Sequence, residues 1–178
     1  MRKFKRVDLT GATEDYFLEV GEEAYISFSN TREIPLHIAT QDGTYYEMHI
    51  IPANTGGTTG GEAARQHLYP NNISYGTQFT LAAFYRSGAA LASMYEDANG
   101  FYLGAGYFVT TAYIVNKQNY RRLLSIFSGY GATGYYPTHV YIVTIWKNQT
   151  DPWTSLGTVV YDSTTASPSG EILVRRLR

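Results

Sequence analysis

The stretch that decides the predicted fold is residues 76–109, GTQFTLAAFYRSGAALASMYEDANGFYLGAGYFV. It consists of three apolar, aromatic-rich runs joined by the dipeptides Ser87-Gly88 and Asn99-Gly100. Asn-Gly between two such runs is a strong hairpin signal, because both central residues of a type I′ turn need a positive φ. Apolar and polar residues alternate across residues 77–81, which is the period of a strand. The stretch therefore predicts a three-strand antiparallel meander.

Neighbouring segments extend the same pattern. Residues 89–95 have good helix propensity, but glycine-bearing turns bracket a run that is too short for a stable helix, so we predict a strand. Residues 138–147, THVYIVTIWK, are apolar on both faces and predict a strand in the middle of a sheet. Gln41-Asp42-Gly43 predicts a second hairpin, between residues 34–39 and 45–51.

Three segments are less regular. Residues 62–68 predict one or two turns of helix that end at Tyr69-Pro70. Residues 117–127 fit either a helix capped by Asn116 or a strand that ends in the loop of residues 128–137. Gly104 and Gly106 interrupt a strand-like run, which predicts a bulge or a close backbone approach.

Ten or so short strands with frequent turn signals predict an all-β fold. The expected architecture is an antiparallel two-sheet sandwich, jelly-roll-like, with one or two short helices. The length of 178 residues favours a single domain over residues 1–178, with basic terminal strands or arms at residues 1–9 and 171–178.

The composition of the chain excludes several classes of protein. Aromatic residues make up 15% of the chain, and cysteine is absent, which excludes disulfides, thiolate metal sites and a cysteine nucleophile. The first residues, MRKFKRVDL, lack the apolar run of a signal peptide, and no apolar stretch reaches 18 residues. We therefore expect no signal peptide and no insertion into a membrane.

The formal net charge of −1 hides an uneven distribution. Half of the fourteen basic residues lie at the two chain ends: Arg2, Lys3, Lys5, Arg6, Arg175, Arg176 and Arg178. Residues 7–174 hold seven basic and fifteen acidic side chains, and such an acidic body would repel nucleic-acid phosphates. The ends either carry solvated charge on terminal strands or dock on an acidic partner surface.

Catalytic motifs are missing. The chain contains no G-x-S-x-G elbow and no H-E-x-x-H zinc motif, and its four histidines are widely separated. Gly56 and Gly61 have the spacing of a phosphate-binding loop, but Glu62 stands where the lysine should be and would repel phosphate. We expect no metal, no cofactor and no enzymatic activity.

Aromatic residues in loops are the more specific signal. Tyr130, Tyr135 and Tyr136 lie among the glycines of residues 128–137, and Trp153 lies in a second loop, Asp151-Pro152-Trp153-Thr154. Such rings offer flat amphipathic surface to sugar rings or to protein partners. The alternative interpretation is that they cap the ends of the sandwich.

The Tyr/Thr/Gly-rich strands, the absent cysteine, the basic ends and the closing runs WTSLGT (residues 153–158) and SGEILVRRL (residues 169–177) resemble small β-sandwich virion proteins of tailed bacteriophages. These are capsid decoration proteins and head or tail-fibre attachment modules. The resemblance implies a homotrimer made in the host cytoplasm and placed on the virion surface, with its chain ends gripping a capsid or tail. Two other hypotheses are a carbohydrate-binding module that uses the loop aromatics for a glycan, and a hydrolase on the same scaffold.

Overall fold

The computed structural model of the chain describes residues 4–54, 65–73, 79–87, 89–97, 100–105, 109–130, 137–148, 150–162 and 168–178. Within those ranges there are thirteen strands and one short 3-10 turn, Pro70–Asn72. The strands are β1 (Lys5–Asp8), β2 (Glu22–Phe28), β3 (Glu33–Pro35), β4 (Thr44–Asn54), β5 (Arg65–Tyr69), β6 (Phe79–Ser87), β7 (Ala89–Asp97), β8 (Phe101–Ala105), β9 (Val109–Asn116), β10 (Arg122–Tyr130), β11 (Pro137–Trp146), β12 (Thr158–Asp162) and β13 (Ser169–Arg176). The predicted all-β class is confirmed.

The strands form two sheets. The larger sheet has nine strands in the order β1-β2-β13-β4-β9-β10-β11-β6-β7, and the smaller has four in the order β3-β12-β5-β8. Neighbouring strands are antiparallel except for β1 and β2, which run parallel. The chain crosses between the sheets several times, so strands that follow one another in sequence often lie in different sheets.

The predicted meander is right for two strands and wrong for the third. β6 and β7 pair antiparallel from Phe79↔Asp97 to Ser87↔Ala89, as the Ser-Gly turn predicts. β8 instead pairs with β5 in the smaller sheet. A Cβ atom on Gly100 would lie 2.7 Å from the carbonyl oxygen of Leu68. Gly100 therefore serves the close approach of β8 to β5 and not a hairpin turn.

The hairpin predicted at Gln41-Asp42-Gly43 is also wrong in its pairing. A turn is present, because the Thr44 amide donates to the Gln41 carbonyl at 3.2 Å. However, β3 pairs with β12 in the smaller sheet, whereas β4 lies between β13 and β9 in the larger one. The turn carries the chain from one sheet to the other.

The predicted helix at residues 62–68 is wrong for its described part, since β5 begins at Arg65 and pairs with β12 and β8. Tertiary pairing overrides the weak local propensity there. For residues 117–127, the strand alternative is confirmed from Arg122 onward by β10, which pairs with β9 and β11. The predicted bulge is confirmed beside Gly104, where the register with β5 shifts and Leu103 is skipped.

β11 lies between β10 and β6, which confirms the predicted position in the middle of a sheet. Its side chains alternate as the sequence indicates: Ile142, Thr144 and Trp146 are buried, whereas Tyr141 and Ile145 are exposed. The core residues come from both sheets, with Leu68, Phe101 and Val159 from the smaller sheet and residues such as Met48, Ile114 and Trp146 from the larger. The inner faces of both sheets therefore contribute to the same core cluster.

Three aromatic rings mark the place where the sheets meet the loop after β11. Phe101 of β8 stacks on Trp153 with ring centroids 5.3 Å apart. Trp146, at the end of β11, meets both rings edge-on, at 6.3 Å from Phe101 and 5.7 Å from Trp153. We call these three residues the aromatic cluster. Offset and edge-to-face rings at such distances attract one another beyond their burial.

Gly157 and Gly21 provide a matched test of backbone crowding. Both have a φ of +97°, but a Cβ on Gly157 would fall on the carbonyl oxygen of Tyr69, whereas one on Gly21 would meet nothing within 4 Å. We expect Gly21→Ala to lower the free energy of unfolding by about 1–2 kcal/mol, from the left-handed backbone alone. Gly157→Ala should cost about 1–3 kcal/mol more, because the methyl group displaces the backbone next to β5.

Urea unfolding followed by circular dichroism measures both changes. Equal losses for the two variants would contradict the close approach of the chain at Gly157 to Tyr69.

Candidate functional site

A polar pocket of about 290 Å³ opens where several strands of the larger sheet end. It lies beside the start of β4, the end of β9, the start of β10 and the loop that follows β11. We call it the end pocket. Asn116 is the last residue of β9, and the other lining residues lie in the loops that lead into or out of these strands.

The floor of the end pocket is buried and polar. It is formed by Thr40, Asn116, Arg121 and Trp153, each at most 5% exposed. The Asn116 Nδ2 atom donates to Thr40 Oγ1 at 3.2 Å and to the Trp153 carbonyl at 3.0 Å. Thr40 Oγ1 lies 2.7 Å from Thr44 Oγ1, which donates to the Gln41 carbonyl at 2.6 Å. Asn116 is thus fixed between β4 and the loop that holds Trp153.

Arg121 supplies a buried cation to the same floor. Its guanidinium lies 5.1 Å from the ring centroid of Trp146 and donates to the Asn148 carbonyl at 3.4 Å. The Arg121 carbonyl also accepts the Trp146 amide at 3.2 Å. A guanidinium stacked on an indole is held in one plane. Trp146 therefore links the end pocket to the aromatic cluster.

The rim is exposed and rich in oxygen. It consists of Gln41, Asp42, Gln118, Thr150, Pro152 and Thr154. Asp42 Oδ1 accepts the Gln118 amide at 2.5 Å, and the Gly43 amide donates to the Asn116 carbonyl at 2.7 Å. The turn before β4 and the turn after β9 are thereby tied together on one side of the pocket.

Asn71 holds the opposite wall. Its Oδ1 atom accepts the amides of Thr154 and Ser155 at 2.9 and 3.1 Å, and its Nδ2 atom donates to the Pro152 carbonyl at 2.8 Å. Asn71 has a φ of +55°, a conformation that asparagine tolerates better than most residues. The sequence pattern indicates only a helix stop at this segment, because the loop that Asn71 binds is distant along the chain.

A second feature is an exposed apolar surface on the outer side of the larger sheet. Tyr113 of β9 pairs in register with Leu124 of β10, which pairs with Val143 of β11. The exposed members are Val109, Tyr113, Tyr141 and Ile145, at 49%, 38%, 47% and 44%, and Leu124, Ile126 and Val143 lie partly exposed between them. We call these seven residues the apolar face. Contiguous apolar surface of this kind marks interaction sites.

The other half of the same outer surface is charged. Arg6, Glu23, Arg175 and Glu47 lie in register on β1, β2, β13 and β4, with signs that alternate from strand to strand. The closest nitrogen and oxygen atoms are 3.4, 2.6 and 3.6 Å apart in that order. We call this row the charge ladder. Tyr113 of the apolar face adjoins it, because its hydroxyl donates to Glu47 Oε1 at 3.4 Å.

The described basic residues at the chain ends are thus engaged within the chain. Lys5 Nζ lies 2.9 Å from Glu22 Oε1, and the Glu22 Oε2 atom accepts the Tyr16 hydroxyl and the Glu19 amide at 3.0 Å each. Arg176 donates to the Leu18 carbonyl at 2.9 Å. The Arg178 guanidinium lies 5.9 Å from the Tyr45 ring. Residues 1–3, which include Arg2 and Lys3, lie outside the described residues.

These contacts shift the pKa values of Glu22 and Lys5, and the hydrogen bond to Glu22 also raises the pKa of Tyr16 above its ordinary value. The hydrogen bond from Lys5 is the largest cause that holds the pKa of Glu22 below its ordinary 4.5, and the amide of Glu19 adds to it. The same pair raises the pKa of Lys5 above its ordinary 10.5. The pair therefore stabilises the fold fully between these two ordinary values. Its contribution is lost in acid as the pH falls through the lowered pKa of Glu22, and in alkali as the pH rises through the raised pKa of Lys5.

Of the four predicted ligand-binding aromatics, the structure describes the ring of Trp153 and the backbone of Tyr130, and these two residues lie far apart. Trp153 is only 2% exposed, its indole N–H donates to the Ser155 carbonyl at 2.6 Å, and its ring belongs to the aromatic cluster. Tyr130 pairs with Pro137, at the opposite end of β11 from Trp146, which is roughly 30 Å away along the strand. Tyr135 and Tyr136 lie outside the described residues.

Metal-ligating clusters and membrane-spanning helices are both absent from the described ranges. No group of three or more histidine and acidic side chains in those ranges lies close enough together to hold a metal ion. No helix in the same ranges is long and apolar enough to span a bilayer.

No protein-family model, curated protein or solved structure matches this chain. The end pocket, the apolar face and the charge ladder are the features of the described residues that bear on function.

Glu22→Gln tests the anchoring of β1. The neutral amide loses the attraction to Lys5, so we expect lower stability at pH 7 and a shallower loss of stability between about pH 5 and pH 2 than in the unsubstituted chain. Urea midpoints measured across that range give the result, with the exposed Glu33→Gln as the matched control. Parallel acid limbs for Glu22→Gln and the unsubstituted chain would contradict the role of this carboxylate.

Trp153→Ala tests whether this ring belongs to the core. We expect the free energy of unfolding to fall by about 3–5 kcal/mol, because the substitution opens a cavity against Phe101 and Trp146. Tyr120→Ala is the control, since that ring is 57% exposed and should cost under about 1 kcal/mol. A Trp153→Ala protein as stable as the control would show that the ring is dispensable for packing.

Proposed function

We propose that this chain is a non-enzymatic structural protein that self-associates on the surface of a viral particle, as a capsid decoration or fibre/attachment component. The single observation that favours assembly is the apolar face. The virion setting and the homotrimer are what the resemblance to phage β-sandwich proteins implies. In this proposal the two sheets form a jelly-roll-like sandwich whose outer surface supplies the contacts between copies.

The apolar face is unusual for the outer side of an antiparallel sheet. Such a sheet in a monomer normally alternates an apolar inner face with a polar outer face. β4 and β13 follow that rule, with Glu47 and Arg175 outside, whereas β9 to β11 place Tyr113, Tyr141 and Ile145 there. Burial of these side chains on association is favourable by about 25 cal/mol for each Å² of apolar area.

A second copy of the same chain is the occupant that fits best. The charge ladder is balanced, with two arginines and two glutamates in contact, so this row does not favour a partner of opposite charge. An apolar patch bordered by paired charges is typical of an interface core with a polar rim. Closed rotational symmetry then limits growth to a defined oligomer.

Light scattering coupled to gel filtration tests the proposal. We expect a mass of about 60 kDa, three times the 19.9 kDa of one chain. Tyr141→Lys combined with Ile145→Lys should shift the population to the monomer, because each change buries an unpaired charge. A loss of about 2 kcal/mol or more at an interface centre corresponds to about a thirtyfold weaker association.

Val20→Lys is the matched control. Val20 is 61% exposed, lies in the turn before β2 and is not part of the apolar face. It should leave the mass unchanged. A monomeric unsubstituted chain at micromolar concentration would overturn the proposal, as would an oligomer that survives the double lysine variant.

A further inference from the structure

We propose that the end pocket binds a single neutral sugar ring, such as the terminal unit or a side branch of a polysaccharide. This goes beyond the assembly role. It places carbohydrate recognition at the opposite end of β11 from Tyr130, and it leaves Trp153 only a buried part of the floor. The pocket has four properties that favour such a ligand: an unsatisfied acceptor in the floor, mixed donors and acceptors at the rim, balanced charge, and a fixed shape.

The first property is the floor acceptor. Asn116 is 1% exposed, and its Oδ1 atom accepts no hydrogen bond from any described residue, although both contacts of its Nδ2 atom are made. A buried acceptor left without a donor costs about 1–3 kcal/mol. Asn116 lines the pocket, and in this proposal a sugar hydroxyl donates to its Oδ1 atom directly or through one water molecule.

The second property is the chemistry of the rim. Gln41 and Gln118 each carry a side-chain donor and acceptor, and Asp42 adds carboxylate oxygen. The hydroxyls of Thr150 and Thr154 donate to Asn148 Oδ1 and Asn71 Oδ1, and their oxygens can still accept. Sugar hydroxyls also donate and accept, so a ring with several of them matches a rim that offers both. An apolar ligand would leave these groups unpaired on binding.

The third property is charge. Asp42 and Arg121 line the same pocket and carry opposite formal charges. An anion drawn by Arg121 would approach the Asp42 carboxylate, and a cation drawn by Asp42 would approach the guanidinium. A neutral ligand avoids both costs, and its hydroxyl groups can donate charge-assisted hydrogen bonds to the Asp42 carboxylate.

The fourth property is a small and fixed shape. Pockets for drug-sized ligands span roughly 300–1,000 Å³, so a volume of about 290 Å³ suits one ring. The Asp42–Gln118 contact holds one wall, and the hydrogen bonds of Asn71 to Pro152 and Thr154 hold the other. A wall that is already ordered loses little entropy when a ligand binds.

Saturation-transfer NMR and calorimetry with a defined panel test the site. The probes are D-glucose, D-galactose, D-mannose and N-acetyl-D-glucosamine, compared with D-glucuronic acid and D-glucosamine as charged analogues. We expect at least one neutral sugar to bind with a dissociation constant of about 1 mM or tighter, and its charged analogue to bind at least about fivefold more weakly.

The combined variant Gln41→Ala and Gln118→Ala locates the binding. Both side chains are exposed at the rim, so their removal should leave the fold intact and weaken binding by about tenfold, which is the loss of one to two hydrogen bonds. Lys117→Ala is the matched control, because Lys117 is exposed in the same turn but does not line the pocket. The control should bind as the unsubstituted chain does.

Chemical-shift changes in the unsubstituted protein give a readout that needs no variant. The Asn116 side-chain amide and the Thr154 backbone amide should shift on addition of the bound sugar. Absence of binding across the panel, tighter binding of a charged analogue, or binding that the rim variant leaves unchanged would each overturn the proposal. The mass measured by light scattering is independent of all three results, so a failure here is distinct from a failure of the assembly role.

Discussion

The contact on which the rest of the structure depends is the aromatic cluster. Phe101 comes from the smaller sheet, Trp146 from the larger, and Trp153 from the loop between β11 and β12. Three large rings in mutual contact bury a large apolar area, and they fix where that loop returns across the strand ends. Arg121 stacks on Trp146 and Asn116 binds the Trp153 carbonyl, so the floor of the end pocket is built on the same rings.

The outer surface of the larger sheet has two chemically different halves, one charged and one apolar. On β1, β2, β13 and β4, opposite charges face each other across strands, which satisfies each ion locally and attaches the terminal strand β1 through Glu22 and Glu23. On β9 to β11, most outward positions carry tyrosine and aliphatic side chains, with Thr111 and Arg122 as the polar exceptions among the described ones. Both halves form regular strands, but only the second leaves a contiguous apolar area in contact with water. The described charged groups near the chain ends therefore stabilise the packing of the terminal strands.

Strand positions could be predicted from the sequence because alternation is a local property, as β11 shows in its buried Ile142 and Thr144 and exposed Tyr141. Strand partners could not, because a glycine turn has the same local chemistry whether the chain folds back or crosses to another sheet. The sequence around Gly43 and Gly100 predicts hairpin turns, but at both glycines the chain passes into a different sheet.

The burial of Trp153 could not be predicted either. Its loop is held by Asn71, which is distant in sequence. Arg121 and Asn116 match no motif, so only the paired strand ends reveal that they share a pocket.

The end pocket and the apolar face lie on different parts of the same strands, and this separation has a consequence for how they would act together. Association through the outer surface of β9 to β11 covers side chains that point away from the core, whereas the pocket opens at the strand ends beside β4, β9 and β10. Ile145 lies at the end of the apolar face nearest the pocket, because it pairs with Arg122. Copies whose contacts centre on Tyr141 and Leu124 would keep each pocket open. A single sugar ring in a pocket of this size binds weakly, but several pockets held on one particle raise the effective concentration of the next site once the first is filled, to about the millimolar range for short spacings. Assembly would then convert a weak site into firm attachment without any change in the site itself.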